Sequence, residues 1–147
     1  MPDSDSVSEV ARKGFSGGAA YDQDRPAYSA TAVQILLENL GISGKAGAKV
    51  LDLAAGTGKF TEALAGRDER YEIIAVEPVE GMRNVLIKKS LPRVTVKDGR
   101  ADAIPLDDGT VDAVIVAQVG KTLLGAFIMF WIVPSHHRVP PLYSCNT

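Results

Sequence analysis

From Ser29 onward the apolar residues Val33, Leu36, Leu37 and Leu40 fall at i, i+3, i+4 and i+7, the spacing that gathers side chains on one face of a helix. Thr31 and Gln34 offer a capping box at its start, and Gly41 offers a stop. Beyond the loop "ISGKAGA", the run "KVLDLAAGTG" is apolar and then breaks into glycines, and "KFTEALAGR" follows with Phe60 and Leu64 four apart. That order predicts a strand, a tight turn and a helix. "YEIIAVEP" predicts a second strand, and "VEGMRNVLIKKS" has helical spacing at Met82, Val85 and Leu86, with Lys88 and Lys89 placed to suit a helix carboxyl end. "VTVKDG" predicts a third strand. "VDAVIVAQ", almost continuously apolar, predicts a fourth strand buried on both faces.

Strands alternating with helices at this spacing predict βαβ units and hence an α/β fold built on a parallel sheet. Ligands in such sheets bind beyond the carboxyl ends of the strands. The segment Asp52 to Gly58, the residue Glu77 and the loop "DGRADA" are all expected there. Residues 1–14 are polar and read as a mobile terminus.

The chain has 147 residues, enough for one domain. Its net charge of -2 supplies no basic footprint, which argues against nucleic acid and against an anionic membrane surface as partners. Cys145 is the single cysteine and has no internal partner for a disulfide; the start "MPDSDSVSEV" lacks the pattern of a signal peptide. A reducing, cytoplasmic setting is the expectation. The apolar run Leu123 to Pro134 falls short of the roughly 20 residues that cross a bilayer, so no integral membrane span is expected.

Two stretches imitate phosphate loops. A P-loop requires glycine five residues before its Gly-Lys pair and a hydroxyl residue after it. Gly58-Lys59 has Leu53 and Phe60 at those positions, and Gly120-Lys121, although followed by Thr122, has Ile115 upstream. Both fail. A dinucleotide fingerprint wants a third glycine where Thr61 stands, and Asp52 is an awkward neighbour for a pyrophosphate. A cationic, adenosine-bearing ligand suits the same acid better: Asp52 can favour an ammonium group directly or through water, and Glu77 can accept from two ribose hydroxyls.

Together "VLDLAAGTGKFT", "IIAVEPVEGMR" and "DGRADAIPLDDGTVDAVIVAQ" resemble the class I S-adenosylmethionine-dependent methyltransferases, of the small-molecule branch called type 11. The lead-in "FSGGAAYDQDRPAY" is similar as well, so the resemblance runs over residues 15–118. It implies a Rossmann-like parallel sheet with flanking helices. It also implies that Asp52, Ala54, Gly56 and Gly58 line the first binding turn, that Glu77 holds the ribose, and that Pro78, Met82, Ala101 and Asp102 surround the adenine. Ala54 stands where many relatives have glycine, and Arg100 where many carry an acid.

Other residues have plainer readings. Asp98, Asp107 and Asp108 suit turns, and Tyr21, Arg25 and Tyr28 suit either the mouth of the site or simple packing. His136 and His137 are adjacent, a poor geometry for sharing a metal, and no metal site is expected.

After Gln118 the family pattern stops. Residues 119–147 form an atypical apolar tail outside it, leaving about four strands of the usual seven. The expected function is transfer of a methyl group from S-adenosylmethionine to an unidentified small-molecule acceptor, with no catalytic residue assigned. The alternatives are a non-catalytic, truncated methyltransferase-like fragment and an NAD-binding oxidoreductase. An incomplete sheet also exposes an edge, through which self-association is expected.

Overall fold

The computed structural model describes residues 27–122 and 125–129, the last two strands by their backbone. The readings of Tyr21, Arg25, His136 and His137, and of the terminus 1–14, lie outside the described residues. Helix α1 (Ala30–Asn39) buries Val33, Leu36 and Leu37, the stripe expected from the spacing. Its start differs from expectation. Ser29, in an extended conformation, caps the helix by accepting from the Ala32 N–H at 3.1 Å. Thr31 is therefore already inside the helix, and the Gln34 amide donates instead to Glu38 at 2.7 Å and Ser43 at 3.0 Å.

Strand β1 (Lys49–Leu53), helix α2 (Lys59–Ala65), strand β2 (Glu72–Val76), helix α3 (Glu80–Lys88), strand β3 (Val94–Lys97) and strand β4 (Ala113–Ile115) follow in order. The four strands form one parallel sheet in the order β3-β2-β1-β4. Asp52 therefore sits between Ala75 of β2 and Ile115 of β4. From Val50 to Leu53 every residue of β1 is buried, as expected of a central strand with cover on both faces.

The fourth strand is shorter than its apolar run suggests. Its register against β1 ends at Asp52–Ile115, one residue before β1 itself ends at Leu53. Gln118 belongs instead to a separate antiparallel ribbon, β5 (Gln118–Thr122) with β6 (Gly125–Met129).

Alternation along the strands divides the core. Val50, Ile73, Ala113 and Ile115 face α1 and α2 and pack with Leu36, Leu37, Phe60, Leu64 and Tyr71. Tyr28 meets Phe60 edge to face, with ring centroids 5.1 Å apart. The buried Tyr71 hydroxyl donates to the Ile42 carbonyl at 2.7 Å, and burial pushes its pKa up to about 12. On the other face Leu51, Leu53, Val76 and Val114 are covered, among the described residues, by Ile74, Ala101, Ile104, Leu106, Val111 and Val116. The core thus has a helical face and a loop face. No helix among the described residues is long and apolar enough to cross a membrane.

Candidate functional site

Strand β1 has β2 on one side and β4 on the other: the chain runs outward from β1 through β2 to β3 and then crosses back to place β4 on the opposite side of β1. A crevice at the carboxyl ends of the strands is the usual consequence of such a reversal. Two acids stand there. Asp52 is fully buried at the penultimate position of β1, and Glu77, 4% exposed, follows the last residue of β2.

Between them runs the turn 54–58, built from left-handed residues. Ala54, Gly56 and Gly58 have φ of 57°, 62° and 85°. Glycine adopts this conformation freely, whereas an L-residue such as Ala54 is strained there by roughly 1–2 kcal/mol. Gly58 caps α2, and a side chain on it would collide with Leu86 of α3. Met82 lies beside Gly56, its Sδ 3.9 Å from where a Cβ would stand. The bare turn thus lets α3 close against α2, a contact reinforced by Lys89 and Glu62 at 3.4 Å.

Glu77 organises the backbone around itself. Its Oε2 accepts from the Gly56 N–H at 2.7 Å and its Oε1 from the Val79 N–H at 2.9 Å. Arg83 of α3 donates through Nη1 to the carbonyls of Glu77 (2.8 Å) and Pro78 (3.1 Å) and to Asp98 Oδ1 (3.1 Å). This guanidinium ties the ends of β2 and β3 together. Pro78 itself is exposed, Met82 is buried and Ala101 is half-buried against the loop face of the sheet. Asp102 is exposed and pairs with Arg100 at 3.1 Å, a contact worth little in solvent.

Asp52 is the odd member. Its Oδ2 accepts from the Thr61 hydroxyl at 2.6 Å, whereas Oδ1 is buried without a hydrogen-bond partner. Burial pushes its pKa up to about 7; the Thr61 hydrogen bond opposes that rise, and the negative charge of Glu77 adds to it. Among the described residues no group of three His, Cys, Asp or Glu is placed to hold a metal.

The model of the methyltransferase domain matches residues 50–125, which include this turn and both acids. The chain belongs to the methyltransferase-domain family. The match continues past Gln118 into the β5–β6 ribbon. An uncharacterised methyltransferase of Mycobacterium bovis is 43% identical over 99 residues, 67% of this chain and 37% of that protein. An uncharacterised methyltransferase of Schizosaccharomyces pombe is 36% identical over 100 residues, 68% of this chain and 38% of that protein. A solved SAM-dependent methyltransferase from Aquifex aeolicus superposes with a TM-score of 0.49 at 31% identity, over 56% of this chain and 46% of that one. The chain spans less than two fifths of the length of these two curated relatives.

Within this methyltransferase domain, Asp52, Ala54, Gly56, Gly58, Glu77 and Met82 gather around one turn. Ala101 and Asp102 belong to the loop beyond β3 and make their recorded contacts within that loop or on the sheet face beneath it. Sequence reasoning met Thr61 only as the missing third glycine of a dinucleotide fingerprint. Its hydroxyl is what replaces that glycine, reaching back from the first turn of α2 to Asp52. Leu86 had helical periodicity as its sole signal, which reveals a packed face and not which residue it packs on; Arg83, a charged residue on the same helix, had none.

Proposed function

We propose that this methyltransferase-domain chain carries the S-adenosylmethionine site of a methyltransferase whose acceptor is a small molecule, in a cytoplasmic setting. The supporting observation is the pair of buried acids on either side of a turn stripped of side chains. The fit to the cofactor rests on two features: Asp52 Oδ1 is buried without a partner, and Gly56 carries no Cβ, with nothing nearer to that position than Met82 Sδ at 3.9 Å. Glu77 would hold the ribose hydroxyls, since each carboxylate oxygen keeps lone-pair capacity beyond the one backbone N–H it accepts. Asp52 would favour the ammonium group, and Ala54, Gly56 and Gly58 would line the turn. Pro78, Met82, Ala101 and Asp102 would border the adenine.

When bound, the cofactor supplies an electrophilic methyl group on a sulfonium sulfur. The contribution of this chain's residues is positional. The turn 54–58, locked to Glu77 by the Gly56 N–H and to β2 by Ala55 N–H to Val76 O at 3.1 Å, fixes where the ligand sits. Holding reacting groups aligned and away from water accounts for much of the rate in such transfers. A general base, where the acceptor needs one, is not assigned to any residue here.

A thermal-shift comparison tests this reading, because a ligand that binds only the folded state raises its melting temperature. S-adenosylmethionine and S-adenosylhomocysteine should both raise it, and NAD should not. A shift with NAD alone would favour an oxidoreductase, and no shift from folded protein would favour a non-catalytic fragment. Self-association through the open sheet edge belongs to the same proposal. Sedimentation at increasing concentration should show it, and a monomer throughout would remove it.

A further inference from the structure

We infer that Asp52 carries a proton in the ligand-free protein and releases it to solvent as a cationic ligand group binds, with Thr61 as the positioning residue for the carboxyl. This deepens the cofactor-binding reading above and rests on it. The argument begins with geometry. Both oxygens of Asp52 are sealed from water, yet only one has a partner, the Thr61 hydroxyl at 2.6 Å. A buried carboxylate with one oxygen unpaired is far costlier than a neutral acid in which Oδ2 still accepts from Thr61 and the proton rests on Oδ1.

The surrounding groups point the same way. Strand β2 contributes Ala75 beside Asp52 and the acid Glu77 just beyond, whose charge resists a second anion; β4 contributes the apolar Ile115. Helix α2 contributes Thr61, with Lys59 at its first position and Glu62 engaged by Lys89 of the α3 cap. Arg83 of α3 is committed to the carbonyls of Glu77 and Pro78 and to Asp98. Among the described residues, then, no cation pairs with Asp52. An arriving ammonium or sulfonium charge would provide the missing partner. Ionisation then becomes favourable, and the proton leaves.

The consequence is a ligand affinity that rises with pH through neutrality. The test is calorimetry of S-adenosylmethionine binding to the intact chain in buffers of different ionisation enthalpy, from pH 5.5 to 7.5. Asp52→Asn serves as the baseline, because the ligand's own titrating groups remain in it. Wild type should release close to one proton per ligand at pH 6, with affinity falling by up to about tenfold per pH unit below the midpoint; the variant should show neither effect. Thr61→Val, close in shape, removes the hydrogen bond that favours the carboxylate and should move the midpoint to higher pH. This variant also keeps the question answerable if Asp52→Asn does not fold. Binding with no proton release, or an unmoved midpoint in Thr61→Val, overturns the inference while leaving the cofactor reading intact. Absence of binding at every pH overturns both.

Discussion

Asp52, at the carboxyl end of the sheet, is treated unlike the acids at the amino end. At the amino ends of the strands, polar groups are thoroughly paired. Arg67 reaches Glu69 through two nitrogens at 2.8 and 3.1 Å and Gln34 at 2.6 Å, and the Gly44 N–H donates to Glu69 as well. Asp112 accepts from the Lys49 N–H at 2.8 Å and from Lys45 at 3.0 Å. The hydrogen bond from Arg67 holds the Glu69 pKa down to about 2, and that from the Lys49 backbone holds Asp112 below the usual carboxylate range. At the carboxyl ends, Asp52 lacks a partner for one oxygen and is pushed up instead. One end is finished within the protein. At the other, one buried carboxyl oxygen of Asp52 is left without a hydrogen bond.

The largest test of that contrast is Glu77→Ala. It removes the acceptor expected for the ribose and also frees the N–H groups of Gly56 and Val79. With hydrogen bonds to charged groups worth about 1.5–3 kcal/mol each, affinity for S-adenosylmethionine should fall by at least tenfold in calorimetry, and the melting temperature should fall too. Unchanged affinity would place the ribose elsewhere.

Glu69→Gln, at the finished end, should leave ligand affinity unchanged and cost stability instead, about 2 kcal/mol at pH 7. Because the folded-state pKa is depressed, this contribution is present above the unfolded value of about 4.5 and is lost as pH falls through about 2. Denaturation curves for wild type and variant should therefore converge in acid. A gap that persists at pH 2 would mean that Glu69 acts through shape and not charge.

The smallest effect expected is a gain. Ala54→Gly relieves a left-handed alanine at φ 57°, partly offset by the greater freedom of glycine in the unfolded chain. Stability should rise by about 0.5–1 kcal/mol in a denaturant titration. A loss would show that the alanine methyl packs against something worth more than its strain.

The contrast also separates what was legible in the sequence from what was not. Helices α1, α2 and α3 and the four parallel strands carry their burial in local periodicity, so Val33, Leu36, Phe60, Leu64 and Leu86 were readable as inward-facing. Asp52 was readable as a strand-end acid entering a glycine turn, and Glu77 as a second acid ending the next strand. The Thr61 hydrogen bond was not, since it depends on how the first turn of α2 folds back over β1. Nor was the end of β4, whose pairing with β1 stops at Ile115 although its own apolar run continues. At the cap of α1, Thr31 suited the role by residue type, and the backbone assigns it to Ser29 instead.

The placement of β4 beside β1 also bears on the order in which the chain assembles. β1, β2 and β3 pair with neighbours in sequence, separated by single helices, and their loops close at modest entropic cost. The other flank of β1 stays bare until Ala113 arrives, more than sixty residues after Val50. Such a distant pairing forms late and slowly. Asp52, lying between Ala75 and Ile115, is enclosed by β-structure on both sides only once β4 has paired.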